Sequence, residues 1–101
     1  MSKLQAIVIN KRDNVATAVT NLQEGTPVIL IIGEGSLSIK LQEAISLGHK
    51  FSITHIEDGS AIIKYGEVIG YATRPIEAGK HVHVHNVLGN RGRGDLPKEA
   101  I

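Results

Sequence analysis

One glycine-centred pattern recurs along the sequence and restricts the folds that are open to it. In three places an apolar residue is followed by two residues, a glycine, two more residues and a second apolar residue. Because glycine adopts a positive φ at no steric cost, each copy predicts a tight corner held to the core by its apolar ends. The copies span residues 22–28, 56–62 and 76–82. At seven residues the pattern is too short for a solenoid repeat, so we interpret it as recurrent turn chemistry.

Short stretches between these corners have the patterns of β-strands. Residues 5–10 are rich in β-branched side chains, and the continuous apolar run 28–32 predicts a strand buried on both faces. Residues 14–22 instead carry apolar side chains at helical spacing after Asp13, a suitable N-cap, and predict one short helix. We therefore expect a mostly β single domain with one short helix.

The amino-acid composition argues against binding to nucleic acid or anionic membranes and limits the available metal ligands. With 101 residues there is room for one domain and one modest core. One Phe and two Tyr leave little capacity for base stacking, and a net charge of +1 provides no basic surface for nucleic acid or anionic membranes. The sequence lacks cysteine, so histidine, carboxylate and carbonyl groups are the available metal ligands. Without a signal peptide or an apolar run of about 20 residues, a cytoplasmic location is expected.

The segment 81–85 alternates three histidines with two valines. In an extended strand His81, His83 and His85 would share one face, and neighbours about 6.6–7 Å apart could converge on one ion. His81 and His85 would be about 13–14 Å apart unless the strand bends. We therefore hypothesise that two of these histidines bind a metal ion together with a third ligand from elsewhere in the chain. The alternative is a half-buried strand whose exposed face carries histidines without any chemical role.

A second candidate site follows Gly48. The His49 imidazole could ligate a metal or transfer protons, and the Lys50 ammonium could hold a substrate carboxylate. We consider both as catalytic residues, and His49 also as the missing third ligand, although a histidine at a strand start is often purely structural. His55 shares its predicted strand face with Phe51 and Ile53, which indicates a packed core histidine.

Residues 89–101 are rich in glycine and charge, and predict a flexible C-terminal tail after a domain of residues 1–88. Its Arg91 and Arg93 could dock on a partner or a carboxylate, because guanidinium groups pair with carboxylates in bidentate fashion. With Lys50 they are the substrate-binding candidates.

Taken together, five ordered segments resemble the N-terminal SAF domain of the altronate and galactarate dehydratase family. The resemblance extends from about residue 6 to residue 95 and rests on segments 13–19, 47–51, 63–70, 78–86 and 91–95.

This resemblance implies a β-clip fold of short, bent strands, related in shape to type III antifreeze proteins. In the family the domain accompanies a larger catalytic domain that carries out metal-dependent β-elimination on a sugar acid. Some relatives divide the two parts into separate chains, as in the sulfolactate sulfo-lyase, which expels sulfite. By this resemblance the protein is the small subunit of an altronate- or galactarate-type hydro-lyase that requires a large catalytic subunit and is inactive alone.

The implied cofactor is a divalent metal of the iron or manganese type, whose binding could require the large subunit. We rank His83 and His85 above His81 as ligands, since that end of the strand leads toward the predicted tail. Two other functions stay open: the small subunit of a (2R)-sulfolactate sulfo-lyase, and a non-catalytic module that binds carbohydrates or anions. Assembly into a homo-oligomer is also left open.

Overall fold

The computed structural model describes residues 4–89, which form a mostly β domain. Within this range there are nine strands and no helix, so no helix there could cross a membrane. The β-clip architecture that the resemblance implies stays a prediction. The strands are β1 (Ala6–Ile7), β2 (Val15–Ala18), β3 (Pro27–Ile32), β4 (Gly35–Lys40), β5 (Lys50–Ser52), β6 (Ala61–Lys64), β7 (Glu67–Ala72), β8 (His81–Val82) and β9 (Val87–Gly89).

The strands form three antiparallel sheets. The largest has the order β1-β2-β5-β8, and thus joins strands that are far apart in sequence. Two hairpins complete the fold: β3–β4 stands as a two-stranded sheet, and β6–β7 carries β9 on the outer edge of β7.

The short helix predicted for residues 14–22 is wrong, because this segment contains β2. β2 lies between β1 and β5 in the sheet, and its Val15, Ala16 and Ala18 side chains are buried in two core clusters. Their apolar character therefore reflects a central strand rather than one helical face. Asp13 is not a helix cap. Its carboxylate accepts hydrogen bonds from the backbone amides of Asn10 at 3.1 Å and Gly66 at 2.8 Å.

The predicted glycine corners are confirmed. Gly25, Gly59 and Gly79 have φ values of +86°, +84° and +89°, and a fourth copy at Gly48 has φ +85°. The fourth copy, residues 45–51, has the same apolar and glycine spacing, so the sequence already contained its signal. In each turn the residue after glycine donates its N–H to the carbonyl three positions earlier, at 2.9–3.1 Å.

The four turns divide residues 15–82 into two halves with matching frames. Each half consists of a strand, a glycine turn, a hairpin and a second glycine turn. We call residues 15–49 the first half and residues 50–82 the second half. The two halves share equivalent backbone hydrogen bonds, all of 2.8 Å. The bond from Gly25 N–H to the Leu41 carbonyl in the first half corresponds to that from Gly59 N–H to the Ala72 carbonyl in the second half. Likewise, the bond from Gly48 N–H to the Ala18 carbonyl corresponds to that from Gly79 N–H to the Ser52 carbonyl.

The core is aliphatic apart from Phe51, which is fully buried. The prediction that residues 28–32 are buried on both faces is wrong. Val28 and Leu30 face the core, whereas Ile29 and Ile31 are 61% and 67% exposed. Nothing among the described residues covers the outer face of the two-stranded β3–β4 sheet, so this apolar run alternates in burial like any half-exposed strand.

Candidate functional site

Strand pairing brings histidines from two glycine turns to one place. His49 follows Gly48 and directly precedes β5, and His81 follows the Gly79 turn as the first residue of β8. These strands are antiparallel neighbours, with Lys50 paired to Val82. Continuing this register by one residue places His49 opposite His83.

The result is a compact group of imidazoles, which we call the three-histidine cluster: His49, His81 and His83. One ring nitrogen from each lies within 4.8 Å of the others, and His49 Nδ1 is 2.9 Å from His81 Nε2. The rings are stacked, with centroids 4.5 Å apart for His49 and His83 and 5.0 Å apart for His49 and His81. Three ligand atoms at this spacing can bind one ion.

The continuous strand predicted for residues 81–85 is wrong beyond Val82. The chain turns at residues 83–86 before β9, and Val84, expected on a buried face, is 82% exposed. The bend changes the distances that a straight strand would impose. The ring centroids of His81 and His85 are only 5.4 Å apart, with a 37° tilt between the rings.

His85, ranked above His81 from the sequence, lies outside the three-histidine cluster. Its exposed ring borders a different cavity of about 320 Å³ that Arg74 and Glu43 also line. The ranking assumed that the strand continued straight toward the tail, whereas β8 ends at Val82 and the β5–β8 pairing brings His81 next to His49. Among the described residues, the converging ligand atoms belong to His49, His81 and His83.

The surroundings of His81 and His83 favour the neutral form of these two imidazoles. Burial, followed by the nearby His49, His83 and His85, lowers the pKa of His81, while Glu43 opposes this shift. Desolvation and the neighbouring charges of His49, Lys50 and His85 also lower the pKa of His83. Since a metal binds neutral imidazole, both shifts reduce the competition between protons and metal near pH 7.

Lys50 lies beside the cluster in a half-buried position. Burial, and then the charge of Lys64, lower the pKa of Lys50. With His83 it lines a cavity of about 230 Å³ whose other walls are mainly apolar, including Ile69, Val82 and Val87. An ammonium group at the edge of such a cavity could bind an anionic group of a ligand that also reaches His83.

Glu43 is a contact that sequence reasoning missed. Its Oε2 accepts a hydrogen bond from the backbone N–H of His81 at 3.1 Å. Glu43 precedes His81 by 38 positions and belongs to no recognisable motif, so nothing local in the sequence indicated the contact.

The other sequence candidates lie elsewhere. Arg91 and Arg93 fall outside the described residues. His55, predicted to be a core histidine, is wrongly assigned: its side chain is 43% exposed and lies 3.3 Å from both the Glu57 and Glu77 carboxylates. The strand β5 ends at Ser52, so the alternation that buries Phe51 does not extend to His55.

Comparison with protein families places this site in context. Residues 4–90 match the model of the altronate/galactarate dehydratase SAF domain. The chain belongs to this SAF domain family.

Individual relatives are consistent with the family. The SAF domain is 44% identical over 87 residues to an altronate dehydratase of Escherichia coli (strain K12), a match covering 86% of the chain and 17% of that enzyme. It is 37% identical over 84 residues to an altronate dehydratase of Bacillus subtilis (strain 168), covering 83% of the chain and 16% of that enzyme. The chain thus spans about a sixth of the length of these enzymes.

A third relative is named as a subunit. The SAF domain is 39% identical over 56 residues to the (2R)-sulfolactate sulfo-lyase subunit alpha of Chromohalobacter salexigens. That match covers 55% of the chain and 60% of the subunit. Sequences of this family therefore occur both in long enzymes and in a protein named as one subunit of an enzyme.

The donor set of the three-histidine cluster fits a divalent transition metal. Imidazole nitrogens suit iron, zinc, copper and nickel, whereas manganese prefers oxygen ligands. Adjacent ligands bound at about 2.0–2.1 Å are separated by roughly 2.9–3.4 Å, which is compatible with the 2.9 Å between His49 Nδ1 and His81 Nε2. The His83 ring nitrogen lies within 4.8 Å of those of His49 and His81, so the three imidazoles could together hold such a metal.

Proposed function

We propose that this SAF domain is the small component of a metal-dependent lyase that dehydrates a sugar acid of the altronate or galactarate type by β-elimination. It acts with a separate large catalytic chain and contributes one wall of the shared active site. The observation that carries the proposal is the convergence of His49, His81 and His83 beside the Lys50 cavity. Membership of a family named for dehydratases supports the reaction class.

In this proposal the three-histidine cluster holds a divalent metal of the iron type, because its ligands are all imidazole nitrogens. Of the two metal types implied by the sequence resemblance, manganese fits this donor set less well. A metal at this position would supply Lewis acidity that stabilises the negative charge developing on a substrate carboxylate during elimination. His49, predicted as a proton-transfer residue, is reassigned here to metal binding, since its Nδ1 lies next to His81 Nε2.

Lys50 binds the substrate carboxylate. Its ammonium reaches the same cavity as His83, so a carboxylate held there would lie next to the cluster. The apolar walls of the cavity reduce hydration of the ion pair and strengthen the contact. Removal of the α-proton and protonation of the leaving hydroxyl group are assigned to residues of the large chain, as one wall of a site need not hold every catalytic group.

The test is reconstitution with a large dehydratase chain from the same source. Co-expressed chains, purified without a polyhistidine tag and supplied with Fe²⁺, are expected to dehydrate altronate or galactarate. The His81→Ala variant should lower turnover at least 100-fold, since it removes one of three ligands, and Lys50→Met should mainly raise KM. Thr26→Ala, in the Gly25 turn and outside the three-histidine cluster, is the control.

Dehydration by the small chain alone would contradict the two-chain assignment. Full activity of the His81→Ala complex would contradict the role of the cluster. If the chain neither retains metal nor supports activity with a large partner, it is the non-catalytic module for carbohydrates or anions.

A second function is favoured by one observation. The match to the sulfo-lyase subunit alpha covers 60% of that protein, compared with 17% of the Escherichia coli altronate dehydratase, so the matched region accounts for most of that subunit. Sulfite release from (2R)-sulfolactate by the reconstituted complex, without dehydration of sugar acids, would identify the protein as the small subunit of a sulfo-lyase.

A further inference from the structure

The side chain of Asn86 lies inside the turn that follows β8. It is only 4% exposed, although asparagine is a polar residue and the turn is at the surface. Its Oδ1 accepts the backbone N–H of His83 at 2.9 Å, and its Nδ2 donates to the backbone carbonyl of His81 at 2.8 Å. The Asn86 backbone N–H also donates to the His83 carbonyl, at 3.1 Å. One side chain thus connects the backbones of two cluster histidines.

These hydrogen bonds fix the position of His83, which the β5–β8 strand pairing does not fix. His49 and His81 are located by the β5–β8 pairing, but β8 ends at Val82 and His83 lies beyond it. The amide of Asn86 spans this gap because its acceptor and donor ends hold His83 and His81 at the same time. The direction in which the His83 ring leaves the backbone is therefore set relative to His81.

We infer that Asn86 is a positioning residue for the three-histidine cluster, which acts by holding the backbones of His81 and His83 in the geometry that makes their ring nitrogens converge. This inference rests on the proposed function for its biochemical importance. Its structural content, the convergence of the rings, can be measured without any metal or substrate.

The fold contains a matched control at Asn14. The Nδ2 of Asn14 donates to the Ala61 carbonyl at 2.9 Å, and its Oδ1 accepts the Ile63 N–H at 2.7 Å. This is the same pair of amide bonds across the same separation of two residues, made to β6 instead of the histidine turn. Replacing Asn14 by alanine removes equivalent hydrogen bonds without touching the cluster, and so measures the purely structural cost.

The experiment compares Asn86→Ala with Asn14→Ala in the full chain, purified without a polyhistidine tag. Co²⁺ is the probe, because its visible absorption reports the ligand set as well as the affinity. Residues that orient metal ligands typically change affinity by about 10–100-fold, so Asn86→Ala should weaken Co²⁺ binding by at least about tenfold. Asn14→Ala should leave Co²⁺ affinity within about twofold at a comparable loss of Tm, since it spares the residues that orient the ligands.

A second measurement applies to the metal-free protein. NOEs between ring protons of His49 and His83, whose centroids are 4.5 Å apart, should be present in the wild type and in Asn14→Ala and absent in Asn86→Ala. The Asn86→Asp variant keeps the acceptor for His83 N–H but loses the donor to the His81 carbonyl. It should retain the NOE between His49 and His81, which the β5–β8 pairing fixes, and weaken that between His49 and His83, because the amide no longer ties His83 to His81. It decides the question if Asn86→Ala does not fold.

The two proposals fail in different ways. If wild-type protein, alone and with the large chain, does not bind Co²⁺, the metal role of the cluster is wrong, while the NOEs still decide the role of Asn86. If folded Asn86→Ala keeps wild-type ring NOEs and affinity, or if Asn86→Asp keeps the NOE between His49 and His83 at wild-type strength, Asn86 is not a positioning residue.

Discussion

The two hairpins have matching frames but different surroundings. The β3–β4 and β6–β7 hairpins each begin after a glycine turn and are closed by the same backbone hydrogen bonds. The outer edge of β7 carries β9, whereas within residues 4–89 β4 has β3 as its sole neighbour. The outer face of β3 exposes Ile29 and Ile31. The second hairpin is therefore fastened by contacts that the first one lacks.

The difference extends to the hairpin ends. The turn of β6–β7 is held by Asp13, which accepts the Gly66 N–H at 2.8 Å, and by Arg12, whose Nη2 donates to the Gly66 carbonyl at 3.1 Å. The second half also supplies Val82 and Ile69 to the cavity beside Lys50. The better-fastened half thus supplies His81, Lys50 and part of the cavity wall, which agrees with the need for a rigid scaffold under a ligand set.

The largest effect is expected at the Gly79 turn, where the second half packs against the backbone of the first half. A Cβ added at Gly79 would lie 2.4 Å from the Lys40 carbonyl oxygen, and its φ is +89°. Gly79→Ala should therefore lower the free energy of unfolding by at least about 3 kcal/mol, through overlap added to backbone strain.

The equivalent Gly48→Ala change separates the cost of steric overlap from the cost of backbone strain. A Cβ at Gly48 meets nothing within 4 Å, so only the strain of φ +85° applies. We expect a loss of about 1–2 kcal/mol in urea denaturation. Equal losses for the two variants would show that the turns are as equivalent in packing as in backbone geometry.

A smaller effect is expected where β9 contacts β7. A Cβ at Gly70 would lie 2.6 Å from the Leu88 carbonyl oxygen and 2.8 Å from Val87 Cγ1. Gly70→Ala should cost about 2–3 kcal/mol and speed amide exchange in β9. Gly35→Ala is the control in the first hairpin, because its nearest atom would be 3.8 Å away. Unchanged exchange in β9 would contradict the close contact with β7.

Low pH should destabilise the second hairpin by protonating the Asp13 carboxylate that holds its turn. Burial alone would raise its pKa, but hydrogen bonds from the amides of Gly66, Asn10, Tyr65 and Ile9 outweigh this, and the pKa is lowered from 3.8. The stabilisation is therefore complete above the unfolded value of 3.8 and is lost as pH falls through the lower folded value.

The Asp13→Asn variant should remove this pH dependence and cost about 1–3 kcal/mol near pH 7, since an amide replaces a charged acceptor. Glu34→Gln, in the turn of the other hairpin, serves as the control. Denaturant titrations between pH 2.5 and 7 provide the measurement, and parallel profiles for wild type and Asp13→Asn would be the contrary result.

The smallest effect is expected on the open face of the first hairpin. Ile29 and Ile31 are largely exposed, so replacing both by serine should change the free energy of unfolding by no more than about 0.5 kcal/mol. The same replacement of Val28 and Leu30, on the buried face of the same strand, should unfold the domain. A loss above about 1 kcal/mol for the exposed pair would indicate that this face is covered in solution.

Turn chemistry was the most predictable part of the fold. A glycine with apolar residues three positions away on either side is a local signal, and Gly25, Gly59 and Gly79 all adopt the positive φ that it predicts. Residues 14–22 were harder, because in a strand as short as β2 helical and strand periodicity overlap. Their neighbours β1 and β5 decide between the two, and these are tertiary contacts.

The site was predictable as a set of residues but less so as a geometry. Both His49 and His81 stood out in the sequence, yet their contact depends on the register between β5 and β8, two strands about 30 residues apart. The position of His83 depends on a turn closed by the Asn86 side chain, which a strict alternation of histidine and valine does not reveal. Local patterns indicate which groups are available, and long-range pairing determines which of them meet.

The strand order β1-β2-β5-β8 also has a consequence for how the protein folds. Neighbours in this sheet come from distant parts of the sequence, which slows folding because loop closure precedes the favourable contacts. The final strand of the sheet, β8, starts at His81. Until that strand docks against β5, His81 and His49 are apart, so the assembled imidazoles require the β5–β8 pairing. A metal probe added during refolding would then register the docking of β8 directly.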